Sequence, residues 1–193
     1  MNNAELIVRT LRAAGTRHGF GIPSGNVLPL MEAMRTEGVP FVLTAHEGSA
    51  SFAADVTGRL TGAPGLCIAT LGPGATNLTT GIGSAYLDRS PMIAITCNVP
   101  TAQLGRRIQM AIDHHALFRP ITKATLPLRR GRVASVLAEA LELALGVRSA
   151  EALTKALQNA LAVDHPTVIE ARVDPGHYLD TVYDWPEYLH DST

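Results

Sequence analysis

The 193-residue sequence predicts a doubly wound α/β fold, a mostly parallel sheet with helices on both faces. Three observations predict it. The segments Val39–Leu43, Gly65–Leu71 and Pro91–Val99 are apolar almost throughout, as strands are when both faces of their sheet are covered. Stretches of helical periodicity separate them, so strands and helices alternate along the chain. The length suits one such domain with a substantial core and is short for two.

Each element follows in order. Asn2 or Asn3 caps a first helix whose apolar Leu6, Ile7, Leu11 and Ala14 recur at helical spacing, and Gly15 closes it. HGFGI, His18–Ile22, is a short strand. GIPSGN then turns the chain into a helix from about Val27 to Thr36 with Leu28, Met31 and Met34 on its apolar side. The strand Val39–Leu43 gives way to Glu47 and a helix built mainly of small residues. Within it Ala50, Ala53, Ala54 and Gly58 form one nearly flat face. That face suits close approach of a second helix, and burial within its own domain satisfies the spacing equally. Gly65–Leu71 then runs into LGPGATN, a further helix follows, and Pro91–Val99 is the next strand.

Composition excludes several classes. Sixteen Lys and Arg oppose seventeen Asp and Glu, leaving a net charge of −1. Arg129, Arg130 and Arg132 make only a short cluster, so no nucleic-acid footprint is present and a small molecule or a protein is the expected partner. Cys67 and Cys97 lie in apolar runs without metal-ligand or redox spacing and are expected as buried thiols in a reducing compartment. The amino-terminal segment lacks the basic start and apolar core of a signal peptide, and no stretch has the apolar length to cross a bilayer. The expectation is a cytoplasmic protein with no membrane partner.

In doubly wound sheets ligands gather where strands end and helices begin. Glu47 and the loop Leu71–Asn77 both stand at such points. Gly72 and Gly74 allow a sharp turn and close backbone approach. The loop is not a nucleotide fingerprint, because Asn77 stands where the third glycine of G-x-G-x-x-G belongs, Pro73 stiffens the turn and no Lys follows. Glu47 also has a plain explanation, since a carboxylate in the first turn of a helix complements its dipole.

Four segments together carry a resemblance to a known family: GFGIPSGNVLPLMEAM, HEGSASFAADVTGRLTG, GLCIATLGPGATNLTTGIGSAYLDRSPMIAIT and DHHALFRPITK. From Leu6 to about Leu145 the chain resembles the pyrimidine-binding, amino-terminal domain of thiamine-diphosphate-dependent enzymes of the acetolactate synthase and 2-oxoacid decarboxylase type. The resemblance implies a flavodoxin-like pyrimidine-domain fold. It also implies that Glu47 bonds N1′ of the cofactor's aminopyrimidine, favouring the imino tautomer that removes the thiazolium C2 proton. A carboxylate in a dry cleft biases a tautomer far better than one in water. By the same resemblance Pro23, Ser24, Gly25 and Asn26, with Gly72, Pro73, Gly74 and Asn77, border the cofactor. Gln109 stands near a substrate-side Gln of the synthases. His114 and His115 resemble the paired proton-relaying imidazoles of the decarboxylases, with a surface or helix-capping role as the plain alternative.

The family's Gly-Asp-Gly motif, which holds the diphosphate and Mg²⁺ in a second domain, has no counterpart here, because no Asp is preceded by Gly. This chain alone is therefore expected to take only the pyrimidine end of thiamine diphosphate and to hold no Mg²⁺. Residues 146–178 resemble the carboxy-terminal helix and strand of that second domain, as though a large internal segment were deleted. Residues 1–178 are accordingly expected as one pyrimidine-type α/β domain, 1–145 resembling the pyrimidine domain, with 179–193 as an aromatic tail. Three functions are compatible with this reading. One is a half-site subunit for 2-oxoacid decarboxylation or carboligation that needs a diphosphate-binding partner. Another is a thiamine-independent enzyme using Glu47 as acid or base, and the third is a non-catalytic, dimeric binding or regulatory module; the chain is expected to be a homodimer.

Overall fold

The computed structural model describes residues 2–100, 103, 106–129 and 131–145. The expected helix and strand of 146–178 and the tail lie outside the described residues. The chain as far as Leu145 forms one compact unit. Its order is α1 (Asn3–Ala13), β1 (Gly19–Gly21), α2 (Leu28–Thr36), β2 (Phe41–Leu43), α3 (Glu47–Thr61), β3 (Gly65–Ala69), α4 (Pro73–Asn77), α5 (Thr79–Leu87), β4 (Met92–Thr96), α6 (His114–Phe118), a 3₁₀ turn (Arg119–Ile121) and α7 (Val133–Leu145).

The four strands form one sheet, ordered β2-β1-β3-β4, with every neighbouring pair parallel. The continuous apolar run expected of a strand covered on both faces is plain in β3, whose five residues are all buried. Leu66 and Ile68 join one core with Val8 and Leu11 of α1, Leu30 and Met34 of α2, and Leu137 of α7. Cys67 and Ala69 point the other way and join Ala50 and Ala54 of α3, Leu78, Ile82 of α5 and Phe118. The doubly wound expectation is thus met, with helices on both faces.

Local chemistry explains the helix limits. Asn2 and Glu5 make a reciprocal capping box at the start of α1. His46 is extended and its Nδ1 accepts the Gly48 N–H at 3.0 Å, so the imidazole caps α3, and Gly62 in the left-handed conformation closes that helix. Ala50 and Ala54 are wholly buried, and the flat face they share with Gly58 packs inside the domain against β3 and its neighbours. A Cβ on Gly58 would collide with the Pro91 carbonyl. The opposite side of α3 exposes Phe52, Val56 and Leu60, and Leu60 is 82% exposed. No helix among the described residues is long and apolar enough to cross a membrane.

Candidate functional site

The strand order places a topological switch at the centre of the sheet, because the chain leaves β1 toward β2 on one side and returns to β3 on the other. The crevice outside the carboxyl ends of β1 and β3 is where such a sheet takes a ligand. Two loops border it, Ile22–Val27 after β1 and Thr70–Gly72 after β3. Thr44, just past β2, ties the approach to Glu47 to this edge. Its backbone N–H and its hydroxyl both donate to Gly21 O, at 3.0 and 3.3 Å.

Glu47 opens α3 and is only 8% exposed. Asn77 Nδ2 donates to its Oε2 at 3.0 Å, across 30 residues of sequence. Oε1 faces Gly74, where an added Cβ would lie 3.3 Å from that oxygen and 2.8 Å from Thr70 Cγ2. Glycine therefore leaves an approach to Oε1 that any side chain would narrow. Gly48 plays a similar part, since a Cβ there would sit 2.9 Å from His46 Nδ1 and 3.4 Å from Asn77 O. Gly72 turns the chain into α4 with φ +60° and ψ −119°, a conformation that excludes ordinary side chains. Met110, itself at φ +65°, packs its backbone onto Gly72.

The residues singled out in the sequence fall into three groups. Glu47, Gly74 and Asn77 come together, and Gly72 and Pro73 lead directly into them. The Pro23–Asn26 loop is joined to the end of β4 instead, where Cys97 Sγ donates to Asn26 O at 3.4 Å. Pro23, Gly25 and Asn26 are exposed, whereas Ser24 Oγ is buried without a hydrogen-bond partner. The third group lies on the segment after β4. Gln109 is exposed on the turn that carries Met110. His114 is 7% exposed and His115 is open to solvent.

His114 Nδ1 lies 3.0 Å from Thr96 Oγ1 at the end of β4, its ring meets Phe118 edge-on, and its Nε2 is buried without a partner. Burial lowers its pKa below the ordinary 6.5, opposed by Asp113 and assisted by His115. Cys67 is fully buried and Cys97 partly so, and burial raises both thiols, which makes them poor nucleophiles. Thr44, Thr96 and Met110 were not singled out in the sequence. Of these, Thr44 had a signal, a small hydroxyl residue between a strand and a helix cap.

Two surface hollows, of about 310 and 380 Å³, are lined by other residues, the second by Asp113, His115 and Arg119 among others. Neither is lined by Glu47. Among the described residues no group of three or more His, Cys, Asp and Glu is arranged to hold a metal ion.

Comparison with known proteins agrees with this fold. The family model described as "Thiamine pyrophosphate enzyme, N-terminal TPP binding domain" matches residues 1–117. The chain is 44% identical over 130 residues to a probable acetolactate synthase large subunit of Methanocaldococcus jannaschii, covering 67% of this chain and 22% of that protein. It is 39% identical to an acetolactate synthase of Bacillus subtilis, over 65% of this chain and 22% of the relative. The large subunit of Escherichia coli acetolactate synthase isozyme 3 is 33% identical over 97% of this chain and 30% of its own length. The chain thus spans less than a third of these relatives. Since the family match takes in well over half of the sequence, this chain belongs to the N-terminal TPP-binding domain family of thiamine pyrophosphate enzymes.

Proposed function

We propose that this chain supplies the pyrimidine side of a thiamine diphosphate site, completed by a diphosphate-binding domain from a partner, for acetolactate synthase-like decarboxylation and carboligation of 2-oxoacids. One observation carries the proposal: a nearly buried Glu47 carboxylate, with one oxygen held by Asn77 and the other facing glycine at the ligand edge of the sheet. The residues present fit an aminopyrimidine. Oε1 offers a charged acceptor for a ring N–H, and Ser24 Oγ is a buried hydroxyl without a partner.

Thiamine diphosphate, when bound, supplies the thiazolium carbon that adds to the 2-oxo group. Glu47 would share a proton at N1′ of the pyrimidine through Oε1, and its small exposure keeps water from competing for that bond. Pro23–Asn26 and Gly72–Gly74 would form the two walls. Gln109 would face the substrate, because its neighbour Met110 packs on Gly72. His114 would position the end of β4 through Thr96. A two-imidazole relay is not part of the proposal, since one ring is buried and the other solvated.

Association with a second subunit is supported by the surface of the chain. The exposed apolar stripe Phe52, Val56 and Leu60 on α3, with Tyr86 and Leu87 on α5, gives the chain a surface for association with a second subunit, including a second copy.

The test is calorimetric titration with thiamine diphosphate and Mg²⁺, with and without a separately expressed diphosphate-binding domain of a relative. Glu47→Gln is expected to weaken binding about tenfold, the worth of one charge-assisted hydrogen bond. Binding by wild type and variant with equal affinity overturns the proposal.

A further inference from the structure

We infer that Asn77 is a positioning residue for Glu47, and that with Gly74 it determines which carboxylate oxygen is presented. This rests on the reading of Glu47 as the group that meets the aminopyrimidine, and it moves Asn77 from the cofactor's border to the support of its acid–base partner.

A carboxylate on a flexible side chain has two equivalent oxygens and several rotamers, so a directional bond to a ring nitrogen requires that both freedoms be removed. Asn77 Nδ2 occupies Oε2 at 3.0 Å. Its amide is neutral, so it fixes the carboxylate without cancelling the charge. Among the described residues Oε1 makes no hydrogen bond, and it lies beside Gly74, whose missing side chain keeps the approach clear. One oxygen is held and the other is presented.

Asn77 is well placed to act this way. It is the last residue of α4, and the chain begins α5 at Thr79, so Asn77 lies at a break between two helices. Its backbone carbonyl also approaches the start of α3 at Gly48. Backbone and side chain of one residue thus both meet the first turn of the helix that carries Glu47. The His46 imidazole bonds the Gly48 N–H from the other side of that turn. With the turn held by His46, it is the Asn77 side chain that fixes the carboxylate.

The experiment uses the full chain without cofactor. Side-chain couplings measured by NMR on selectively labelled Glu should show one Glu47 rotamer in the wild type and averaging in Asn77→Ala. Asn77→Leu is the sharper variant, because it keeps about the same size, adds no charge beside the carboxylate and loses the donor. If Asn77 only fills space, Leu preserves the Glu47 rotamer, whereas a positioning role predicts that Glu47 becomes mobile. A measurement that needs no variant covers any failure to fold. The Asn77 side-chain amide protons should exchange about tenfold more slowly than those of exposed Asn26. Equal exchange, or an unchanged Glu47 rotamer in both variants, overturns the inference. A fixed Glu47–Asn77 pair together with thiamine diphosphate affinity indifferent to Glu47→Gln would refute the functional reading and leave the pair standing. Glu47-dependent affinity with a mobile Glu47 would do the reverse.

Discussion

Replacing Gly72 by alanine tests whether the ligand edge of the sheet is built as described. The backbone there has φ +60° and ψ −119°, open to glycine and strained for any residue with a Cβ. Such strain costs about 1–3 kcal/mol. The new methyl would also lie 2.6 Å from Met110 O and 2.9 Å from Met110 Cβ, so the loop carrying Gln109 and Met110 must move. Overpacking of this kind adds about 1–3 kcal/mol. For a unit of 145 residues, 1 kcal/mol corresponds to about 3 °C in Tm, so Gly72→Ala should melt roughly 6–18 °C below wild type. Gly25 in the loop after β1 is the control. Its φ is not positive and an added Cβ meets nothing within 4 Å, so Gly25→Ala should be neutral or stabilised by up to about 1 kcal/mol through the unfolded state. Calorimetric melts of the full chain measure both. A Gly72→Ala protein melting within about 2 °C of wild type, or equal shifts for the two variants, would refute the reasoning.

Two further outcomes follow from burial. Ala54→Leu enlarges a wholly buried side chain between α3 and the sheet and should cost about 1–3 kcal/mol of stability, whereas Phe52→Asp on the exposed side should leave Tm nearly unchanged and lower the mass measured by light scattering if that stripe joins subunits. Equal loss of stability in both would show that α3 is packed differently. The lowered His114 pKa gives a pH dependence with a definite sign. Burial favours the neutral ring in the folded chain, with Asp113 opposing and His115 assisting, while Thr96 Oγ1 contacts Nδ1. The unfolded chain therefore takes up the proton first. Stability is full above the unfolded value near 6.5 and falls as the pH drops toward the folded pKa, with a slope of at most about 1.4 kcal/mol per pH unit. Denaturant titrations from about pH 8 to 5 should lose that component in His114→Gln; a profile identical to wild type counts against it.

The elements were legible in the sequence to the extent that burial on two sides imposes a pattern. All four strands fall within the segments expected of them, three of which are continuous apolar runs and the fourth HGFGI, and β3 alone is buried along its whole length. The ends were less legible. Val39 was expected to begin β2, yet its N–H bonds to Met34 O and closes α2, leaving the strand to start at Phe41. α7 was not singled out, although Val133, Leu137 and Leu141 recur every fourth residue and all three meet the α1–α2 core. The small-residue face of α3 left two partners open in the sequence. The structure assigns it to the chain's own β3 and α5, because Ala50 and Ala54 have no remaining surface.

The candidate site divides along the same physical line. Glu47 was visible because a carboxylate where a strand yields to a helix is conspicuous, and Gly72 because a glycine at a tight turn is. The bond from Asn77 to Glu47 was not visible, since it spans 30 residues and depends on a break between α4 and α5 that turns one side chain toward another helix. Sequence spacing encodes which face a residue lies on and carries no record of where a helix break aims it. The two histidines show the converse. Once Asp113 caps a helix at His114, adjacent imidazoles must point in different directions, since neighbours at i and i+1 share no helix face. One of them is therefore inside and one outside, so the two rings meet different surroundings. In the Glu47 carboxylate, by contrast, the held oxygen and the presented oxygen belong to a single group.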